Sequence, residues 1–240
     1  MCVVTLLPIA NGFLLTTNRD EHTSRSAAIP PRTYAVNDQL LTFPKDPQGG
    51  GTWLAASKTQ LICLLNGAFP TDKPRVGSKP RKSRGLVVLD AFGYDDPYQF
   101  ADRYDFGGVE PCTLVIARLS GQQQHLFELR WTGQQVWLRP LDGRNPHIWS
   151  SYTLYDAGAV ALRKIWFTQF LQENHNHYTP DRLFTFHRTA GNGDPSRDFV
   201  MNRPSDGVRT VSLTQVAHTQ QAGTMRYFDL ALATETRIAI

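Results

Sequence analysis

The second residue is a cysteine, in Met1-Cys2, and Arg19 and Asp20 follow it seventeen and eighteen positions later within Asn18-Arg19-Asp20-Glu21. Initiator methionine is normally removed when the next residue is small, and Cys is small enough. Its removal would leave a thiol and a free α-amine on one residue, a self-contained nucleophile and base. The thiol attacks and the amine takes the proton. An α-amine titrates near ~8 and so can act as a base close to neutral pH. The plain alternative is that Cys2 is a small hydrophobe in a packed strand.

The elements around it decide whether these residues can meet. Cys2 to Pro8 is rich in β-branched residues, Asn11-Gly12 reads as a tight turn, and Phe13 to Thr17 follows as a second strand. This hairpin would start at the chain terminus and carry Arg19 and Asp20 back beside Cys2. A second hairpin is expected from Gly49–Ser57 and Gln60–Asn66, its second strand nearly all apolar and therefore buried on both faces. Ser83 caps a helix running to Phe92, and Asp96-Pro97 opens another to about Tyr104. Strands are expected over Cys112–Leu119, Gln124–Trp131 and Gln134–Pro140. The longest helical pattern runs from Tyr155 to Asn174, with Val160, Ile165, Phe167, Phe170 and Leu171 as its apolar stripe. A helix over Pro180–His187 and strands over Arg209–Ala217 and Met225–Ala233 complete the pattern. Blocks of antiparallel strands alternating with blocks of helices, without βαβ repeats, indicate an α+β arrangement of sheet layers covered by helices.

The 240 residues, with no Gly/Ser/Pro linker and no internal repeat, read as one domain over 1–240. A net charge of +4 is mildly basic and not diagnostic. Three cysteines, Cys2, Cys63 and Cys112, at wide irregular spacing form neither a disulfide framework nor a zinc motif. Cys63 and Cys112 sit in apolar strand contexts and read as core. The apolar N-terminus lacks a basic leader, and no apolar run reaches the ~18 residues of a membrane span. A cytoplasmic protein is expected.

Met1-Cys2, Asn18-Arg19-Asp20-Glu21, Gly50-Gly51-Thr52-Trp53-Leu54, Leu65-Asn66, Ser83-Arg84-Gly85 and Gly207-Val-Arg209-Thr together resemble the NRDE family of transport-and-Golgi-organisation-protein-two-like chains, from residue 1 to about 217. The resemblance implies an N-terminal-nucleophile hydrolase-like fold, an αββα four-layer sandwich similar to that of penicillin V acylase and bile-salt hydrolase. By that likeness Cys2 would be the nucleophile. Arg19 would stabilise its thiolate, since a cation lowers a thiol's pKa. Asp20 would orient the α-amine. Asn66 would donate to an oxyanion. Ser151 stands where the acylases carry a second oxyanion asparagine. Arg209 matches the late arginine of the family and could complete the polar network. Asn18, Glu21, Trp53, Arg81 and Arg84 are weaker candidates for ligand binding.

The resemblance leaves two functions open. One is a Cys-dependent amidohydrolase acting on a small amide or acyl substrate. The other is a carrier of haem or an acyl-CoA-type lipid in the same pocket, with no cofactor required by either reading. Lys73 to Arg84 carries six basic residues in twelve. It reads as a solvated loop, or as a rim that draws an anionic ligand to the pocket. It lacks the aromatics that stack bases, so no nucleic-acid partner is expected. His175 and His177 have no third ligand nearby and read as exposed, and no metal site is expected. A homodimer could form through strands or the Trp-rich segments.

Overall fold

The computed structural model describes residues 3–70, 80–120, 123–175 and 177–240. In chain order it contains β1 (Val3–Ile9), β2 (Gly12–His22), β3 (Ile29–Val36), β4 (Gln39–Lys45), β5 (Leu54–Ala56) and β6 (Gln60–Asn66). Helices α1 (Arg84–Asp90) and α2 (Pro97–Arg103) precede β7 (Cys112–Ser120), β8 (Gln123–Trp131), β9 (Val136–Leu141) and β10 (His147–Ser150). Helices α3 (Ala157–Glu173) and α4 (Pro180–Thr189) are followed by β11 (Asn202–Arg203), β12 (Val208–Thr219), β13 (Gly223–Asp229) and β14 (Thr234–Ala239).

Two antiparallel sheets result. One runs β10-β1-β2-β12-β13-β14, with β11 beside β12, and the other runs β3-β4-β5-β6-β7-β8-β9. Alternation along the strands sorts the core into layers. Val4, Leu6, Phe13 and Leu15 of the first sheet meet Leu61, Cys63, Leu65, Val115 and Ala117 of the second in the inter-sheet core. The opposite face of the second sheet, with Ile62, Leu64, Leu114 and Ile116, buries Val87, Val88 and Phe100 of α1 and α2. Leu7 and Leu14, on the outer face of the first sheet, bury Phe167, Phe170 and Leu183 of α3 and α4. The layer order is helix, sheet, sheet, helix, the α+β four-layer sandwich that the resemblance implies.

Local chemistry explains the boundaries. Ser83 caps α1 by accepting from the Gly85 amide, and Asp96, Asp156 and Thr179 cap α2, α3 and α4 in the same way. In the first hairpin Ile9 pairs with Gly12, so the turn is Ala10-Asn11, with Asn11 at φ 56°, rather than Asn11-Gly12. Three further expectations shift. Only Leu54–Ala56 of the segment 49–57 is strand, because the three glycines loop against α1. The strand expected over 225–233 stops at Asp229, whose carboxylate accepts from the Ala231 and Leu232 amides and turns the chain into β14. Helix α3 turns Ala159, Arg163, Phe167 and Phe170 inward, while Ile165 stays 52% exposed. The inward stripe follows helical spacing, but an arginine occupies one of its positions and hides it from an apolar-letter reading.

Among the described residues no helix is long and apolar enough to cross a membrane.

Candidate functional site at the open end of the sandwich

The NRDE tetrapeptide ends β2, and strand alternation sends its members to opposite faces. Asn18 and Asp20 turn toward the helical layer, Arg19 and Glu21 toward the space between the sheets.

Asn18 is fully buried, and its amide is fully matched. Nδ2 donates to the carbonyls of His187 (3.1 Å) and Phe199 (2.8 Å), and Oδ1 lies 2.6 Å from His187 Nδ1. Burial, and then the positive charge of Arg163, pushes His187 down to about 3, so the ring is neutral. Oδ1 of Asn18 can only accept there, which assigns the proton to Nδ1 and leaves Nε2 to accept from the Thr5 hydroxyl at 2.7 Å. Asn18 therefore pins β2 to α4.

Asp20, also buried, accepts a short hydrogen bond from the Tyr155 hydroxyl and one of 2.5 Å from Thr210 Oγ1. Thr210 has a single hydroxyl proton, and its oxygen in turn accepts from the Met201 amide at 2.8 Å. The Arg163 guanidinium stacks 3.4 Å from the Tyr155 ring centroid and donates through Nη2 to the Asp198 carbonyl at 2.8 Å. The Asp20 carboxylate is thus held from the helical side by Tyr155, which Arg163 holds in turn.

Arg19 lies on the other face, 4.5 Å over the Trp53 ring, and pairs with Glu21 at 3.1 Å. This ion pair is not a surface one, since the Arg19 side chain is only 5% exposed. Beside it opens a pocket of about 150 Å³, lined by Arg19, Glu21, Arg25, Asp46, Trp53, Asn66 and Arg84 together with residues 51–52, 64, 83 and 85. The motifs quoted from the sequence converge here because two glycines allow it. A Cβ on Gly51 would lie 2.2 Å from the Gly85 carbonyl carbon, and one on Gly85 would lie 2.9 Å from the Thr52 carbonyl oxygen. The two backbones close up through the Thr52 amide to the Gly85 carbonyl, 3.0 Å. The Thr52 hydroxyl donates to the Pro44 carbonyl at 2.6 Å, tying the loop to β4.

Arg25 and Asp46 complete the rim at 2.6 Å. Burial alone would raise the Asp46 carboxyl. The hydrogen bond from Arg25 and the Gly49 and Gln48 amides outweigh it and hold Asp46 below its ordinary value, while the same bond raises Arg25. Arg84 pairs with Glu110 at 3.2 Å, from just outside the lining. Three arginines face two carboxylates in the lining itself, a thin positive surplus.

Asn66 ends β6, and its carbonyl accepts from the Ser151 hydroxyl at 2.9 Å, which joins the end of β10 to the end of β6. Ser151 is fully buried and close to Thr153 Oγ1 (3.2 Å) as well. Arg209 stands opposite Glu21 in the β2–β12 register and lines an adjoining cavity of about 90 Å³ that shares Arg19, Glu21 and Arg25. Arg81 is turned away, bonded to the Gly107 (2.6 Å) and Asp105 (2.8 Å) carbonyls. Lys82 pairs with Asp90 at 2.6 Å. The rest of the basic segment up to residue 79 lies outside the described residues, as does Cys2. The described chain starts at Val3, paired with Asn18 on one side and Ser150 on the other.

The other two cysteines offer no nucleophile. Both are fully buried, and burial pushes each thiol up to about 12. His175 and His177 are exposed, and among the described residues no cluster of three or more His, Cys, Asp or Glu side chains could hold a metal.

Sequence reasoning singled out Arg19, Glu21, Trp53, Asn66 and Arg84, which the fold brings to one pocket. It overlooked Arg25 and Asp46, joined across a loop with no local pattern, and Tyr155, Arg163 and Thr210 behind Asp20. For that second group the signals were an arginine at a core-facing position of α3 and the threonine that closes Gly207-Val-Arg209-Thr.

No curated protein matches the chain. The family model for Transport and Golgi organisation 2 matches residues 1–219, the span that holds β1 to β12 and every residue of the pocket, and the chain belongs to that family.

Proposed function

We propose that the protein is an N-terminal-nucleophile hydrolase that uses Cys2 to cleave a C–N amide or acyl bond of a small anionic molecule. The observation that carries this reading is the convergence of Arg19, Trp53, Asn66 and Arg84 on one pocket at the end of the sheet where the described chain begins. Cys2 is covalently joined to Val3, so its Cα stays ~3.8 Å from that of Val3, and Val3 pairs with Asn18, the neighbour of Arg19 and Asp20.

In this mechanism, removal of Met1 frees the α-amine. The amine takes the thiol proton as Sγ attacks the substrate carbonyl carbon. Arg19 favours the thiolate by its charge. Asp20, held by Tyr155 and Thr210, orients the amine and steadies it when protonated. The Asn66 amide donates to the developing oxyanion, its strand end braced by Ser151. The intermediate collapses to a thioester, and the leaving amine takes the proton. Water then attacks the thioester with the α-amine as base, regenerating the thiol and releasing the acid. Arg84 and Arg25 supply the attraction for an anionic substrate, and Arg209 contributes from the adjoining cavity.

The pocket's size supports this reading over transport of a porphyrin or a fatty-acyl chain. About 150 Å³ holds a small acyl group, below the ~300–1,000 Å³ of sites that enclose larger ligands.

The test is intact mass spectrometry before and after iodoacetamide at neutral pH, with Cys2→Ala as control. Loss of Met1 together with fast single alkylation that Cys2→Ala abolishes is the expected result, followed by turnover in a screen of small amides and thioesters. A retained Met1 with an inert Cys2 would overturn the proposal, because the base would be blocked.

A further inference from the structure

A second concavity, which the motifs do not touch, lies on the other flank of the sandwich. It encloses about 530 Å³ and is lined by Phe69, Glu128, Arg130, Trp137, Leu138 and Arg139. None of these residues lines the 150 Å³ pocket. Five come from the β8–β9 hairpin, where Glu128 stands opposite Arg139 and Arg130 opposite Trp137. Residues paired in this way share one face of the sheet, here the face that looks toward the first sheet.

At the centre is a carboxylate already satisfied. Glu128 is 2% exposed and accepts from Arg130 Nε (2.8 Å) and Nη2 (3.1 Å), from Arg139 Nε (2.9 Å) and from Trp149 Nε1 of β10 (2.7 Å). Arg130 gives its remaining Nη1 to the Ala68 carbonyl at 2.7 Å and lies between the rings of Phe69 and Tyr152, 4.8 and 5.3 Å from their centroids. These groups are fixed in place and neutralise each other.

Two groups remain outside that balance. Arg139 meets Glu128 through Nε, while its side chain is 63% exposed and its Nη atoms make no hydrogen bond among the described residues. Trp137 is 56% exposed on the inward-facing side of its strand, because β10 ends the first sheet short of it. Its indole meets Phe69 edge-on, centroids 6.5 Å apart at 88°. Two perpendicular aromatic walls therefore stand next to a guanidinium fork that already has one carboxylate behind it and open donors in front. Two arginines against one carboxylate leave the cleft with an unmatched positive charge.

We infer that this cleft binds a small aromatic carboxylate. Its ring packs into the corner of Trp137 and Phe69, and its carboxylate bridges the Nη atoms of Arg139. A planar fork matches a planar carboxylate in two parallel hydrogen bonds, and aromatic walls supply apolar contact at little entropic cost. The volume falls within the range of small-molecule sites.

The test is isothermal titration of the full chain with 2-naphthoate, alongside 2-naphthamide as its uncharged twin. Saturable binding of the carboxylate is expected, with the amide roughly ten-fold weaker for lack of the charge-assisted pair. Arg139→Gln and Trp137→Leu should each weaken 2-naphthoate by about ten-fold, and Arg139→Lys, which keeps the charge without the fork, should lie between. Both positions are more than half exposed, and Glu128 keeps Arg130 and Trp149 as donors when Arg139 is replaced, so thermal melts of the variants should stay close to the parent. Arg84→Ala, in the other pocket, should leave binding unchanged. No saturable binding at millimolar concentration, equal affinity for the amide, or loss in Arg84→Ala but not in Arg139→Gln would overturn the assignment. The cleft shares no residue with the proposed hydrolase pocket, so either can fail alone.

Discussion

The two faces of one short stretch of β2 behave differently. On the helical face Asn18 is surrounded by partners on every polar atom, and Asp20 is gripped by two hydroxyls whose own elements, the approach to α3 and strand β12, are anchored elsewhere. On the inter-sheet face Arg19 and Glu21 border open space and share it with Arg25, Asp46 and Arg84. Neighbouring residues of one motif therefore do unlike work. Asn18 fixes the end of the strand, so that Arg19 has a defined position. A motif read as a single catalytic unit mixes the scaffold with the site it holds.

The largest effect expected from breaking this division is on the helical side. Asn18→Ala removes partners from two buried carbonyls and from the Nδ1 proton of His187. Stranded buried polar groups cost about 1–3 kcal/mol each, and partial relaxation would leave a loss of roughly 3–5 kcal/mol in a urea melt. A loss below about 1 kcal/mol would mean that the network is not holding the strand.

The next effect is a pH dependence that belongs to the same face. His187 titrates at about 3 in the folded protein, below the 6.5 of an exposed imidazole. Between those values the unfolded chain binds a proton that the folded one refuses, so stability falls as pH falls below ~6.5, by up to ~1.4 kcal/mol per pH unit. From pH 7 to pH 5 the loss assigned to His187 is about 2 kcal/mol. Urea melts at the two pH values should show it, and His187→Gln should flatten the difference while lowering stability at pH 7. An unchanged slope in the variant would place the titration elsewhere. Asp46 adds a separate term of the same sign in more acidic solution. Its folded carboxyl sits below its ordinary value, so its contribution is complete above ~3.8 and is lost as pH drops through the folded value.

Much of this frame was legible in the sequence. The hairpin of β1 and β2, the β7–β8–β9 meander, and the starts of α1 and α2 follow from β-branched runs, turn residues and a capping Ser or Asp-Pro. The unread parts share a cause, which is that tertiary partners define them. β3 carries Pro30-Pro31 and exposed Arg32 and Thr33 because it is a sheet edge, where proline and polar residues are tolerated. β14 is a polar edge strand of the same kind. The four-layer order came from family likeness, since strand alternation alone does not say which sheet faces which. In the site, Arg19, Asn66 and Arg84 stood on recognisable motifs. The Arg25–Asp46 pair spans a loop and a strand end, and Arg163 meets Tyr155, which bonds Asp20, only through the fold of α3 against the first sheet.

The smallest stability effect should come from the inter-sheet face, and it sharpens the contrast most. Arg84→Ala removes a half-solvated ion pair, with Arg84 23% and Glu110 30% exposed. Such a pair contributes at most about 1 kcal/mol, and Ser83 still caps α1. The urea midpoint should hardly move. What should change is the field in the pocket, where three arginines against two carboxylates become two against two. If Cys2 reacts there, alkylation by anionic iodoacetate should slow by roughly three-fold in the variant. The rate with neutral iodoacetamide should stay as in the parent, and the difference should shrink in high salt because screening acts on the charge alone. An equal drop with both reagents would instead mean that Arg84 shapes the pocket, and that the positive surplus does not steer what enters it.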